Sequence, residues 1–296
     1  MSLRLEMLQV ARLAPRQLGE SRDLVAGFLR AHLNADGSFQ NRAGASDLYY
    51  TVFGLDSLIA LQAPVPIEQT ASYLTRFGDG AELDFVHLAC LARGWAALRL
   101  TPDEATVERM LARVETFRSA DGGFDTVPGS DRGTAYGAFM ALGTYQDLGR
   151  DLPSALKVLE SLRRLRARDG SYAIAPDLPF GLTPLTAAAV VASRHLGGEA
   201  DRAAGMWLLD RCHSSGGFFA SPDAPMPDLL STATALHALS TLHVPIGGIR
   251  EACLDFVDSL WTNRGGFFGN WDDDAPDCEY TFYALLALGH LSLEPA

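Results

Sequence analysis

Basic residues, cysteines and long apolar runs are all scarce in this chain. Its 24 Lys and Arg stand against 36 Asp and Glu, a formal net charge of -12. A nucleic-acid partner needs a basic face, so none is expected. No apolar run reaches the roughly 18 residues that a bilayer span requires. The first fifteen residues mix Arg and Glu with Leu and lack the apolar core of a secretory leader, so a cytoplasmic location is expected. Cys90, Cys212, Cys253 and Cys278 lie far apart and form no Cys-x-x-Cys pair, which favours free thiols over a disulfide framework. A Walker sequence, a dinucleotide fingerprint, a Gly-x-Ser-x-Gly elbow and a His/Cys pair at i, i+4 are missing too.

Hydrophobic residues, by contrast, make up 48% of the chain, enough for a substantial core. They are organised by an internal repeat. The motif Gly-Gly/Ser-aromatic recurs as Gly37-Ser38-Phe39, Gly122-Gly123-Phe124, Gly170-Ser171-Tyr172, Gly216-Gly217-Phe218 and Gly265-Gly266-Phe267. The last four aromatics are 48, 46 and 49 residues apart, and the first two 85 apart. A further copy is expected in that gap, near Phe77-Gly78-Asp79-Gly80. Glycine serves the turn by tolerating positive φ, and the aromatic is expected to pack neighbouring units together.

Each motif leads through a Pro/Asp/Gly-rich stretch into an Ala/Leu-rich helix. Asp47, Asp84, Asp228 and Asp277 open such helices, as does Asp131 in the third unit. Asp47, Asp228 and Asp277 are each followed four residues on by Thr. A recurring Asp ahead of an apolar-periodic segment is what an N-cap requires, its carboxylate accepting from the free amides of the first turn. The spacing predicts six shielded helices at 46–62, 84–99, 132–149, 183–197, 228–243 and 277–292. It predicts six amphipathic ones at 21–33, 67–77, 103–118, 154–165, 200–212 and 249–261. An open solenoid needs polar capping units, and the terminal units here are as apolar as the rest. The expected fold is therefore all-α: a closed α6–α6 (α/α) toroid over residues 21–296 around a central cavity, after an N-terminal extension over 1–20.

The Asp-Gly-Gly-Phe turn feeding an Ala/Leu inner helix resembles the prenyltransferase and squalene-cyclase repeat, over about residues 21–292. Protein prenyltransferase β subunits and terpenoid cyclases share it. The resemblance implies a funnel that holds an isoprenoid or other long apolar molecule, and, for a protein prenyltransferase, an α-subunit-like helical partner. It also implies zinc ligands from an Asp-x-Cys and a His. Here these positions are Asp228-Leu229-Leu230 and Tyr280. Two of three ligands are lost, so no zinc is expected. Diphosphate-binding basic residues are implied as well. Only Arg132 matches, with a slip of one residue, while the loop over 221–227 has no basic residue and Leu182 replaces a His.

The cyclase motif Asp-x-Asp-Asp aligns with Asp277-Cys278-Glu279-Tyr280 and keeps the first and middle acids. The equivalents of Glu279 in the other units are Tyr49, Val86, Gly133, Pro184 and Leu230, so Glu279 alone is an acid there. Burial would raise its pKa and suit it to general-acid work. Catalysis, if present, is expected at Glu279, Tyr280 and Asp277. His87, Arg132, Tyr49, Tyr50, Tyr136 and Asp228 are the expected substrate-binding residues, with His87, Tyr50 and Tyr280 sharing the fourth helix position, which is expected to face the cavity mouth. Asp272-Asp273-Asp274 offers carboxylates for Mg²⁺ or a solvated acidic turn. The expected function is a zinc-independent, prenyltransferase-like or cyclase-like transformation of an isoprenoid. The alternatives are a binding or interaction module that keeps the toroid without the chemistry and, more distantly, a carbohydrate-active (α/α)6 barrel, which needs two facing carboxylates.

Overall fold

A computed structural model describes residues 1–176 and 178–293. Two helices, α1 (Leu3–Ala11) and α2 (Pro15–Leu18), precede six helical pairs. In chain order these are α3 (Arg22–Ala31) with α4 (Leu48–Ala60), α5 (Ile67–Thr75) with α6 (Phe85–Leu98), and α7 (Glu104–Glu115) with α8 (Ala135–Asp147). They continue with α9 (Ala155–Arg164) and α10 (Thr183–His195), α11 (Arg202–Leu209) and α12 (Leu229–Thr241), and α13 (Arg250–Ser259) and α14 (Cys278–Leu291). The second members pack side by side in the order α4, α6, α8, α10, α12, α14, and α14 returns to α4. The ring is closed, as six uncapped units demand.

Closure is built into the turns. Gly37, Gly122, Gly170, Gly216 and Gly265 all have positive φ. Each turn lies against the outer helix of the next unit. A Cβ on Gly216 would sit 1.8 Å from the carbonyl oxygen of Ala252 in α13, and one on Gly265 would sit 2.2 Å from that of Leu24 in α3. The last turn thus abuts the first outer helix. The aromatic of the motif is buried, and in three units its backbone N–H donates to a threonine: Phe39 to Thr51 Oγ1 at 2.9 Å, Tyr172 to Thr186 Oγ1 at 3.0 Å and Phe218 to Thr232 Oγ1 at 2.9 Å. The Thr51 and Thr232 hydroxyls donate to the carbonyls of Asp47 and Asp228. The Asp-x-x-x-Thr pattern is therefore one device, in which Asp caps the inner helix and Thr ties it to the turn.

Asp47, Asp84, Asp228 and Asp277 all cap with their carboxylates. The third unit departs from expectation. Its cap is Thr134, which accepts from the amide of Gly137, so α8 starts three residues later than Asp131 suggests. Asp131-Arg132-Gly133 stays in a turn because Gly133 lies against the glycine turn, its amide bonded to the Asp121 carboxylate at 3.1 Å. The second unit has positive φ at Gly78 and Gly80 but lacks the backbone bridge that the other five form, such as Leu33 with Phe39. Its chain passes from α5 to α6 too directly to build the full motif, which explains the doubled spacing in the sequence.

Helix α1 lies across the end of the ring away from the caps and contacts α4, α8, α10 and α14. The amide of Leu3 donates to Gln146 Oε1 at 2.8 Å, Arg4 binds Asp56, and Glu6 meets His195 Nε2 at 2.8 Å. Gly289 of α14 leaves room for the Val10 carbonyl, 2.1 Å from where a Cβ would stand. Residues 1–20 thus supply the floor of the ring.

Candidate functional site

The ring encloses a cavity of two lobes that share Met7, Tyr49, Phe53, Arg93, Tyr136, Phe139 and Tyr283. One lobe, about 290 Å³, lies against α10, α12 and α14. The other, about 130 Å³, follows α4, α6 and α8 down to α1. Their lining follows helix periodicity. Two residues past each cap stand Tyr49, Val86, Tyr136, Pro184, Leu230 and Glu279, and all six line the cavity. This is the rim. The register of the third unit, corrected by its Thr134 cap, puts Tyr136 rather than Gly133 in the ring. One helix position further on, the side chains rotate by about 100° and turn aside.

That rotation separates the expected site residues. Tyr280 packs its ring over Gly269, beneath the Arg42 guanidinium, instead of facing either lobe. His87 bonds its own cap, Asp84, at 2.8 Å, and Tyr50 occupies the same rotated position in its unit. Neither is among the residues lining the two lobes. Arg132 is exposed in the turn before α8. Asp228 caps α12 and is bonded by the amide and hydroxyl of Ser231, both at 2.7 Å. Asp277 caps α14 and holds Arg42 Nε at 2.7 Å. The expectation that the fourth helix position faces the cavity is thus corrected: the third does. Asp273 is committed to Arg42, and no group of three His, Cys, Asp or Glu among the described residues is placed to hold a metal ion.

Glu279 and Tyr49 meet across the seam where α14 joins α4. The phenol of Tyr49 donates to Glu279 Oε1 at 2.6 Å. Burial pushes Glu279 up to about 7, opposed by that hydrogen bond and reinforced by the nearby Asp277 charge. Its carboxyl is therefore about half protonated at pH 7. Burial also raises the phenols of Tyr49 and Tyr283, and pushes Tyr136 up to about 12. Tyr136 keeps 39% of its surface accessible, but that surface faces the cavity. Below the rim Phe53 stacks edge-on with Tyr49, centroids 5.0 Å apart, and tilts against Tyr283 at 5.6 Å. Phe139 and Phe282 complete an aromatic belt.

Deeper still lies a group of charges that sequence reasoning did not single out. Asp56 and Arg93 each stand nine residues past their caps, on adjacent helices. Asp56 is fully buried and accepts from Arg4 at 2.8 and 3.0 Å through one oxygen and from Arg93 Nε at 2.8 Å through the other. The Arg93 guanidinium lies 4.9 Å from the Phe53 centroid and 5.4 Å from that of Phe282. Asp147, at the end of α8, lines the small lobe. Burial pushes it up to about 6, although Arg4 and Arg93 act against this. His237 lines the large lobe at the depth of Arg93, its Nδ1 3.1 Å from His290 Nε2, and burial pushes it down to about 4. The readable signal was a charged residue in an otherwise uncharged inner helix.

Known proteins agree with this architecture. No curated protein sequence matches the chain. Among solved structures, protein geranylgeranyltransferase-I from Candida albicans, complexed with GGPP, superposes with a TM-score of 0.68 at 12% identity, covering 89% of each chain. A variant of the type II terpene cyclase MstE from Scytonema, in complex with geranylgeranyl dihydroxybenzoate, gives 0.61 at 15% identity over 94% of this chain and 97% of that one. An alpha-1,6-mannanase from Salegentibacter sp. gives 0.58 at 14% identity over 92% and 98%. At these identities the likeness is one of fold. The sequence profile of the prenyltransferase alpha-alpha toroid domain matches residues 83–181 and 185–294, and the chain belongs to that family.

Proposed function

We propose that this toroid is a zinc-independent, cyclase-like enzyme that protonates an alkene of an isoprenoid held in its cavity, with Glu279 as the acid. One observation carries the reading. Among six equivalent rim positions Glu279 is the sole carboxyl, and it faces an aromatic cavity with one oxygen occupied by the Tyr49 phenol. The proton then belongs on the free oxygen, Oε2. Transfer to an alkene leaves a tertiary carbocation on the substrate and a carboxylate on Glu279, which keeps the Tyr49 hydrogen bond. The faces of Phe53, Phe139, Phe282 and Tyr283 suit that cation, since ring quadrupoles attract positive charge. Return of a proton from the cation to the Glu279 carboxylate restores an alkene and the acid, which closes the balance. The isoprenoids bound by the geranylgeranyltransferase and MstE structures support this choice of substrate class.

The test is product analysis by gas chromatography and mass spectrometry after incubation with C15 and C20 polyprenyl compounds. The expected result is an isomerised or cyclised product from the wild type and none from Glu279→Gln. A wild type that binds these compounds in its cavity without converting them would support the binding-module reading instead.

A further inference from the structure

The charges of this cavity run opposite to what an anion at the mouth requires. Among the described residues the rim carries Glu279 and no free cation. Arg42, the basic residue bonded at the mouth of α14, is held by Asp273 and Asp277, and Arg132 is exposed in a turn outside. The buried positive charge is at the floor, about 10 Å deeper at 1.5 Å per helical residue. There Arg4 and Arg93 share one carboxylate, Asp56. Arg93 Nε and Nη2 both lie 2.8 Å from one Asp56 oxygen, and among the described residues Nη1 makes no hydrogen bond. Asp147 is the second carboxyl of the group, yet among the described residues it makes no hydrogen bond to either arginine. A buried guanidinium with an unused N–H, at the junction of two lobes, is costly unless something else fills it.

We infer that the floor formed by Arg93, Asp147 and His237 is a head-group subsite. It takes the carboxylate of an isoprenoid or similar long-chain acid, whose apolar chain rises past the aromatic belt toward Glu279. The inference rests on the reading above for its substrate class and adds an orientation, head inward and alkene tail at the rim. A carboxylate matches the planar guanidinium fork, and at pH 7.5 the ionised Asp147 competes with it for that fork. His237 Nε2, buried on the same level and without a partner, offers one more polar contact.

Isothermal titration at pH 7.5 with farnesoic acid and farnesol, which share one chain and differ in the head group, tests this. The wild type is expected to bind the acid roughly tenfold or more tightly than the alcohol. Arg93→Met should erase that preference while leaving farnesol affinity unchanged, which also shows that the cavity persists. If circular dichroism shows that Arg93→Met does not fold, Asp147→Asn decides. Removing a competing negative charge should tighten the acid by about threefold or more and leave the alcohol alone. Equal binding of acid and alcohol by the wild type, a preference that survives Arg93→Met, or an Asp147→Asn protein with unchanged acid affinity each overturns the inference. The wild type separates the two claims. Acid preference without any conversion sinks the acid-catalysis reading and leaves the subsite; conversion without acid preference does the reverse.

Discussion

The rim and the floor of the cavity are built by different logics. At the rim, six helices offer the same position and five of them fill it with Tyr, Val, Pro or Leu, so one unshared acid stands out. Its neighbours are held in place by caps and turns that most units repeat. At the floor nothing repeats. Arg4 comes from a helix outside the repeat, Asp56 and Arg93 from two adjacent units, and Asp147 from a third. The difference teaches where to look in a repeat protein. Shared residues maintain the frame, and unshared polar residues in the inner helices equip the interior.

The sharpest way to break the comparison is at the rim. Glu279→Gln should reduce product formation by about 10²–10⁴-fold, the usual contribution of a positioned general acid, with a urea midpoint that does not fall. Retained activity would place the chemistry elsewhere. At the floor the expected loss is of stability. Asp56→Ala strands two buried arginines and should cost about 3–5 kcal/mol in urea unfolding; a loss below about 1 kcal/mol, the range of an exposed ion pair, would mean the group is well hydrated.

Both regions should respond to pH in the same direction. Glu279 is pushed up to about 7 and Asp147 to about 6, from ordinary values of 4.5 and 3.8. Between those limits the native state holds protons that the unfolded chain has released, so stability falls as pH rises through the window. A Glu279→Gln, Asp147→Asn protein should show a flatter profile from pH 4.5 to 7.5. Conversion should likewise decline about tenfold per pH unit above 7, where Glu279 loses the proton it must donate. An activity that rises with pH instead would make Glu279 a base. The smallest effect belongs to the frame: Asp228→Ala should cost about 0.5–2 kcal/mol, as lost caps do, and leave ligand preference untouched.

The ring and most of its caps were legible because they depend on local rules that six units obey. Period, glycine turn and the Asp-x-x-x-Thr pattern all report on contacts within one unit or with the next. The slip in the third unit shows the limit of such rules. Asp131 has the residue type of a cap, but Thr134 does the capping, and three residues of error moved Tyr136 out of the ring of rim positions. Glu279 was visible by its singularity, whereas its partner Tyr49 looked like one aromatic among several. The floor was illegible for a deeper reason. Arg4, Asp56 and Arg93 lie on three separate helices; Asp56 and Arg93 share one register past their caps, but nothing in the repeat ties Arg4 to either. Nor does pattern alone reveal that α1 crosses beneath the ring.

The bond from Tyr49 to Glu279 joins residues 230 apart. It forms at the seam where the last inner helix meets the first. Each hairpin can organise early from nearby contacts, but this pairing must wait until every intervening unit has taken its place. Chains dominated by such distant contacts fold slowly. Glu279 therefore gains its hydrogen-bond partner, and the cavity its walls, in one late step. A partly assembled chain would carry every residue of the site and still lack the site. Quenching or shift of the Tyr49 signal during refolding would mark the moment when the hoop shuts, and activity should appear with that phase rather than with the earlier gain of helix.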